Sequence, residues 1–338
     1  MSIVEAMSKI DKNAKGILYI VDETRHLLGS VTDGDIRRWI INTGRIDGYI
    51  KDVIYKKVHS IKCDEISYSE RIMIQNEVRS LPVVDDGIIK DVIFDKYSDN
   101  GVKSVSSALK QTPVIVMAGG KGTRLYPYTK ILPKPLIPIK EIPILERIMA
   151  QFHRYGANDF YITVNYKKEM IKAYFSDIEC DYNLHFIEEE QPSGTAGSLK
   201  LINENFDRPI VITNCDILIN TEYDSILSYH DKNSCDMTIV SSVKNTTIPY
   251  GVINIKEDGI VESLIEKPSL SHLINTGMYI LDPRYIDEIP PNCVFHMTDL
   301  VNKMIDKGCK VCIYPISDEL YFDMGQFEEM KRMEDSIP

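Results

Sequence analysis

The sequence predicts an α/β fold: an open mixed, largely parallel sheet fills the larger, C-terminal part of the chain, and a small α+β pair precedes it. Three observations predict it. From Val114 onward, short apolar strands alternate with amphipathic helices, the pattern of a sheet covered by helices on both faces. The first hundred residues carry one strand-turn-strand segment twice. A glycine loop follows directly on the first strand of the larger part, at the strand end where such sheets bind ligands.

The N-terminal repeat comes first. Ile17 to Asp35 reads ILYIVDETRHLLGSVTDGD and Ser80 to Asp95 reads SLPVVDDGIIKDVIFD; in each, a strand ends in Val-Asp, turns through polar residues and enters a second strand. Helical segments precede them, Ile3 to Ile10 and roughly Tyr68 to Glu77. The repeat resembles a tandem pair of cystathionine-β-synthase-type (CBS) domains, units that pack in twos to bury a face neither could bury alone. The resemblance implies an adenosine nucleotide site (AMP or ATP) where Gly29, Thr32 and Asp35 match the ligand motif, with Arg37 and Arg38 following. The second repeat has Lys90 and Ile93 where the glycine and threonine should stand, so at most one site is expected per chain. A competing reading is that Thr32 and Asp35 cap the helix IRRWIINTG. The pair is then a sensor or an oligomerisation module, and a homo-oligomer is expected.

Apolar regularity lapses between Ser98 and Thr112. Domain limits are accordingly placed at 1–57 and 58–105 for the two repeats, 106–112 for a linker and 113–338 for the larger domain. In that domain the strand VIVMA is followed by a helix over Ile144 to Tyr155, closed by Gly156. FYITVN, a helix from Lys167, HFIEE, a helix near Thr195 to Asn205 and PIVITN continue the alternation.

The loop VIVMAGGKGTRL, followed by LPKPL, points to polyphosphate. Gly119, Gly120 and Gly122 keep no side chain between a phosphate chain and the backbone N–H groups, while Lys121, Arg124 and Lys134 supply positive charge. It is not a P-loop, because Gly120-Lys121 is followed by Gly122 and has Ile115 where the first glycine belongs. Nor is it a dinucleotide fingerprint, since Leu125 takes the place of the third small residue.

The stretch AGGKGTRLYP with PKPLIPI resembles the signature of the sugar-1-phosphate nucleotidylyltransferases, and QPSGTAGSL, NCD, EKP and FDMG follow in that family's order. The resemblance implies a Rossmann-like nucleotidyltransferase domain that joins a nucleoside triphosphate to a sugar 1-phosphate and releases pyrophosphate. It places the nucleotide on Ala118, Gly119, Gly120, Gly122, Thr123, Gln191, Gly194 and Thr195, and catalytic cations at Arg124, Lys134 and Lys267. Gly251, Glu266, Asn275, Thr276 and Gly277 match segments that hold the sugar phosphate, and Asp216 and Asp323 match the aspartates that hold Mg²⁺. The first metal motif departs from the family in having Cys215 where glycine is usual. A sugar 1-phosphate needs no general base near neutral pH, because the second pKa of a phosphate monoester is about 6. Alignment and charge neutralisation remain the protein's task, and two carboxylates at strand ends suit a shared divalent ion. The GTAG spelling favours GTP without excluding UTP or CTP. Together with the CBS pair it resembles the glucosamine-1-phosphate guanylyltransferases of legionaminic acid synthesis, with mannose- or heptose-1-phosphate guanylyltransferases next.

Composition sets limits on other functions. A formal charge of −11 and no basic stripe argue against nucleic acid. No apolar run suits a membrane helix and the first residues do not read as a signal peptide, so a cytoplasmic protein is expected. Seven cysteines suggest free thiols, and Cys309 and Cys312 lie in an alternating segment that reads as a strand rather than a zinc site. A catalytically inactive regulatory subunit or a nucleotide sensor is the rival of a different class, but the charged site residues are all present.

Overall fold

The computed structural model describes residues 1–13, 15–95, 107–325 and 327–336. It divides into two compact units, Met1–Ser104 with Val243–Leu273, and Val105–Ser242 with Ile274–Pro338.

In the first unit the chain forms α1 (Ile3–Asn13), β1 (Ile17–Val21), β2 (Leu27–Thr32), α2 (Asp33–Thr43), α3 (Ser69–Gln75), β3 (Ser80–Asp85) and β4 (Ile88–Phe94). Helix α1 buries Ile3, Ala6, Met7 and Ile10, one stripe at helical spacing. The sequence repeat reappears as two antiparallel hairpins, each with a register shift at the corresponding place, Ile20/Val21 and Val83/Val84. The hairpins meet at their turns, where Leu27 N–H donates to Gly87 O at 2.9 Å and Ile89 N–H to Arg25 O at 3.1 Å. Of the expected linker, residue 106 lies outside the described residues. Leu109 is buried and donates to Tyr155 O at 3.0 Å, so that stretch folds with the second unit.

The rest of the chain forms β5 (Val114–Met117), β6 (Pro138–Ile139), β7 (Ile142–Pro143), α4 (Ile144–His153), β8 (Asp159–Val164), α5 (Lys168–Ser176), β9 (Asn183–Glu188), α6 (Gly194–Gly197), β10 (Ile210–Asn214), β11 (Ile217–Ile219) and α7 (Tyr223–Lys232). There follow β12 (Met237–Thr247), β13 (Val252–Ile255), β14 (Val261–Ile265), β15 (Ser269–Leu281), α8 (Met297–Asp306), β16 (Val311–Ser317), β17 (Tyr321–Asp323) and α9 (Phe327–Ser336). Seven strands make one sheet in the order β16-β12-β15-β10-β5-β8-β9, with β10, β5, β8 and β9 parallel and β15 antiparallel to β10. The mixed, mostly parallel sheet with helices is the predicted class. All of β5 is buried, which is why it reads as a continuous apolar run. Its alternate residues serve two cores: Val114 and Val116 pack with Ile144, Ile148 and Phe152 of α4, and Ile115 and Met117 with Leu300 and Met304 of α8.

The helix expected over Thr195 to Asn205 is corrected to the single turn α6 and a short 3-10 segment, Ser198–Leu201. The Phe295 carbonyl accepts from the first-turn N–H groups of Ala196 at 3.0 Å and Gly197 at 2.9 Å, which ties down the start of the turn, and the helical pattern ends where Ile202 is extended. Cys312 lies in β16 and Cys309 two residues before it, and no group of three or more metal-ligating side chains occurs among the described residues. No helix among them is long and apolar enough to cross a membrane.

Candidate active site

The sheet's strand order reverses at β5, with β8 and β9 on one side and β10 on the other. Loops leaving the carboxyl ends of β5 and β10 diverge there and open a crevice. The glycine loop leaves β5 and Asn214-Cys215-Asp216 leaves β10, joined by the Cys215 N–H donating to Met117 O at 3.3 Å. Gly122 turns the loop with φ of 64°, and a Cβ there would lie 2.9 Å from Thr129 and 3.0 Å from Lys134. Glycine is thus required both for the left-handed backbone and for the approach of Lys134.

Two adjoining cavities occupy the crevice. The larger, about 390 Å³, is lined by Gly119, Gly120, Gly122, Thr123, Arg124, Lys134, Gly194, Thr195 and Asp216 among others. The second, about 210 Å³, has Arg124, Thr195 and Asp216 in common with it and adds Asn275, Thr276, Gly277 and Asp323. Most of the residues expected at the nucleotide and metal positions therefore face one space. Ala118 lies buried beneath the loop, its N–H on Thr163 O at 3.0 Å, and Lys121 is exposed.

The charged centre is built from β11 and β17. These pair antiparallel with Ile217 opposite Asp323, and Met324 N–H donates to Asp216 O at 2.8 Å, which puts the two aspartates side by side. Lys134 Nζ forms an ion pair with Asp216 Oδ2, both side chains about a tenth exposed (9% and 11%). Burial, and then the Asp216 charge beside it, push the Asp323 carboxyl above its ordinary range, while Lys134 and Arg124 pull it the other way. Burial also pushes the Cys215 thiol up to about 12, so at this position it is a small apolar filler rather than an anion. The Arg124 guanidinium lies against Gly325 of the FDMG turn, 3.0 Å from where a Cβ would stand. Two carboxylates of raised mutual repulsion, with no further carboxylate, His or Cys clustered on them among the described residues, form a donor set that suits Mg²⁺. That ion takes oxygen ligands, typically one or two carboxylates with phosphate oxygens and water completing its octahedron.

Asn275, Thr276 and Gly277 are set by hydrogen bonds: Thr276 Oγ1 donates to Val240 O at 2.7 Å, and Gly277 N–H to Asn275 Oδ1 at 3.0 Å. Gly251, Glu266 and Lys267 belong to the first unit, at the base of the β13–β14 hairpin. There Lys267 N–H donates to Tyr250 O at 3.3 Å, and the Glu266 carboxylate stands 3.0 Å from the position of a Gly251 Cβ.

Gln191, expected at the base end, is exposed and does not line the cavity; Glu189 does. Glu189 N–H donates to Val164 O at 2.9 Å and its Oε2 accepts from Ser193 N–H at 3.2 Å and Ser193 Oγ at 2.7 Å, which turns Gln191 outward. Glu189 is 7% exposed, and its Oε1 closes over Gly119, 2.4 Å from where a Cβ would be. In the same cavity lining, Thr163 Oγ1 is buried without a hydrogen-bond partner among the described residues. The one available signal for Glu189 was the acidic run EEE between a strand end and a glycine turn.

In the first unit, Thr32 and Asp35 line a cavity of about 610 Å³ between the repeats, with Tyr19, Arg38, Tyr55 and Arg79. They also form the helix cap: Thr32 Oγ1 accepts from Asp35 N–H at 3.2 Å, and Asp35 Oδ2 accepts from Thr32 N–H at 2.9 Å. Asp35 Oδ1 pairs with Arg38 at 2.5 Å.

Comparison with known proteins divides the chain differently from the two units, with 243–273 falling inside the larger match. Residues 113–337 match the model of the nucleotidyl transferase family and residues 1–42 that of the CBS domain. Mannose-1-phosphate guanyltransferase of Pichia angusta is 33% identical over 195 residues, 54% of each chain. UTP–glucose-1-phosphate uridylyltransferase of Synechocystis sp. is 30% identical over 214 residues, 57% of this chain and 55% of that one. The chain spans about half the length of the curated relatives it matches. Among solved structures, HddC from Yersinia pseudotuberculosis superposes with a TM-score of 0.53 at 24% identity, covering 66% of this chain and 98% of that one. A second HddC crystal structure, complexed with GMP-PN, gives a TM-score of 0.51 at 24% identity over the same shares of the two chains. These two likenesses are of fold.

Proposed function

The chain belongs to the nucleotidyl transferase family, and from that premise we propose that it transfers GMP from GTP to a sugar 1-phosphate, releasing pyrophosphate and forming a GDP-sugar. The observation that carries the guanine assignment is Glu189, a buried carboxylate at the cavity wall next to Gly119. A carboxylate only accepts hydrogen bonds, and two of its roughly four acceptor positions are used by Ser193. Guanine offers two adjacent donors on one edge, its N1–H and its N2 amino group, whereas uracil offers a single N–H between two carbonyl oxygens that a carboxylate repels. The guanyltransferase relatives and the neighbour complexed with GMP-PN agree with this reading.

In the reaction, a phosphate oxygen of the sugar 1-phosphate attacks the α-phosphorus of GTP. The bond to the β-phosphate oxygen breaks, and pyrophosphate carries away the electron pair. The backbone N–H groups around Gly119 to Gly122 and the Arg124 guanidinium hold the triphosphate, so the α-phosphorus is fixed before attack. Lys134, tied to Asp216, keeps a positive charge at the same wall where charge accumulates. Asn275, Thr276 and Gly277 are assigned to the sugar ring; for Lys267, Glu266 and Gly251 the resemblance alone implies the sugar-phosphate role. Mg²⁺, held by Asp216 and Asp323 when bound, supplies charge neutralisation between the two phosphates.

For the acceptor, the CBS pair joined to this domain favours glucosamine 1-phosphate, of the kind used in legionaminic acid synthesis. The named activity of the Pichia relative favours mannose 1-phosphate as the second choice. Pyrophosphate release measured over four nucleotides and a panel of sugar 1-phosphates tests both assignments. GTP is expected to give the highest turnover, and UTP or CTP well above it overturns the base. Glu189→Gln, which loses a charged hydrogen bond, should lower GTP preference by roughly 10- to 150-fold, from about 1.5–3 kcal/mol. The cavity around Asp35 motivates a regulatory role for AMP or ATP: calorimetry should give one nucleotide per chain in the wild type and none in Asp35→Ala.

A further inference from the structure

The hairpin of β13 and β14 leaves one apolar face uncovered. Its register sets Ile253 opposite Leu264 and, across a bulge that takes up Glu262, Ile255 opposite Val261, so these four side chains stand on the same side of the ribbon. They are 55%, 62%, 65% and 59% exposed, and Ile260 beside them is 62% exposed. The opposite face is polar at its centre, where Asn254 Nδ2 donates to Ser263 Oγ at 2.8 Å. A two-stranded ribbon is marginal by itself and gains stability when a further layer covers its apolar side.

The size of the patch argues for a specific cover. Fully burying such a side chain removes roughly 60–120 Å² from water, so five at these exposures supply on the order of 300 Å² per copy. Two copies would then supply about 600 Å², most of the apolar area within a standard interface of about 1,600 Å². Tyr250 and Leu270, 74% and 46% exposed on the same excursion, extend it. Ile253, Ile255, Val261 and Leu264 carry no charge, and the one carboxylate at the bulge beside them, Glu262, is paired with Lys256, whereas the chain as a whole carries −11 and repels its own copy through charged surfaces. An uncharged apolar face is complementary to itself across a two-fold axis. We propose that two copies of this chain dock hairpin on hairpin through Ile253, Ile255, Val261 and Leu264.

Sedimentation velocity of the full chain over a range of concentrations tests this. The wild type should sediment as a dimer and Ile253→Lys/Leu264→Lys as a monomer, with the far-ultraviolet circular dichroism of the wild type. A control with equally exposed apolar residues elsewhere, Ile74→Lys/Ile131→Lys, should remain dimeric. A monomeric wild type, a dimeric hairpin variant or a monomeric control overturns the proposal. Should the hairpin variant lose its fold, hydrogen exchange of the wild type decides: protection gained on concentrating the protein must include Val252 to Ile265, and protection confined elsewhere overturns it.

Discussion

Replacing Lys134 with Met keeps the apolar stem and removes the ammonium from Asp216. The pair is about nine-tenths buried on both sides, so solvent screens it little. Asp216 would then sit buried beside Asp323 with its nearest counter-charge gone. Breaking a buried pair from one side costs about 3–5 kcal/mol, because a charge is left uncompensated. At about 2–4 °C per kcal/mol for a unit of 150–250 residues, the melting temperature should fall by about 6–20 °C. Asp216→Asn leaves Lys134 with Asp323 as its remaining counter-charge and should cost less. The double variant Lys134→Met/Asp216→Asn removes both charges, so its loss should be smaller than the two single losses together, by about 2–3 kcal/mol. Urea unfolding followed by circular dichroism, without nucleotide or divalent ion, measures the cycle. Losses that add to within about 0.5 kcal/mol would show that the two groups are not coupled and would refute the reasoning. All three variants should be nearly inactive, so activity cannot replace the stability measurement.

Asp323→Asn removes a carboxylate held by burial beside Asp216; turnover should fall by about 100-fold or more while melting temperature holds or rises, and near-normal turnover at saturating Mg²⁺ would remove Asp323 from the metal site. Gly194→Ala puts a Cβ 2.5 Å from the Phe295 carbonyl at φ of 80°, so about 2–4 kcal/mol of backbone and packing strain should appear as lower stability in urea unfolding, and an unchanged unfolding midpoint would contradict this. His230 is buried against Thr238, and burial lowers its pKa, so the unfolded chain takes up the proton first as pH falls. Its contribution to stability is therefore present above about pH 6.5 and lost below it. Between pH 7 and 5 the wild-type melting temperature should drop more steeply than that of His230→Gln, and parallel curves would contradict this.

Local chemistry was legible in the sequence. The continuous apolar run of β5, the stripe of α1 and α4, the repeated hairpins and the glycine loop all depend on neighbours within a few residues, and each lies where its pattern predicts. The two aspartates could be named from their strand ends. That they stand side by side could not, because Ile217 and Asp323 are brought together by a strand pairing across more than a hundred residues. The same limit applies to the turn after Gly194, whose first N–H groups are taken by the distant Phe295 carbonyl, and to the lining of the cavity by Glu189 rather than Gln191. Which of three successive glutamates is buried depends on a bond to Ser193 and on the closeness of Gly119, and no local period carries that information. Periodicity and turn chemistry act through the chain's own backbone and are written along it. Partners for buried charge are chosen only when distant strands close on one another, because a carboxylate can be desolvated only where the folded chain returns a cation or a donor to it.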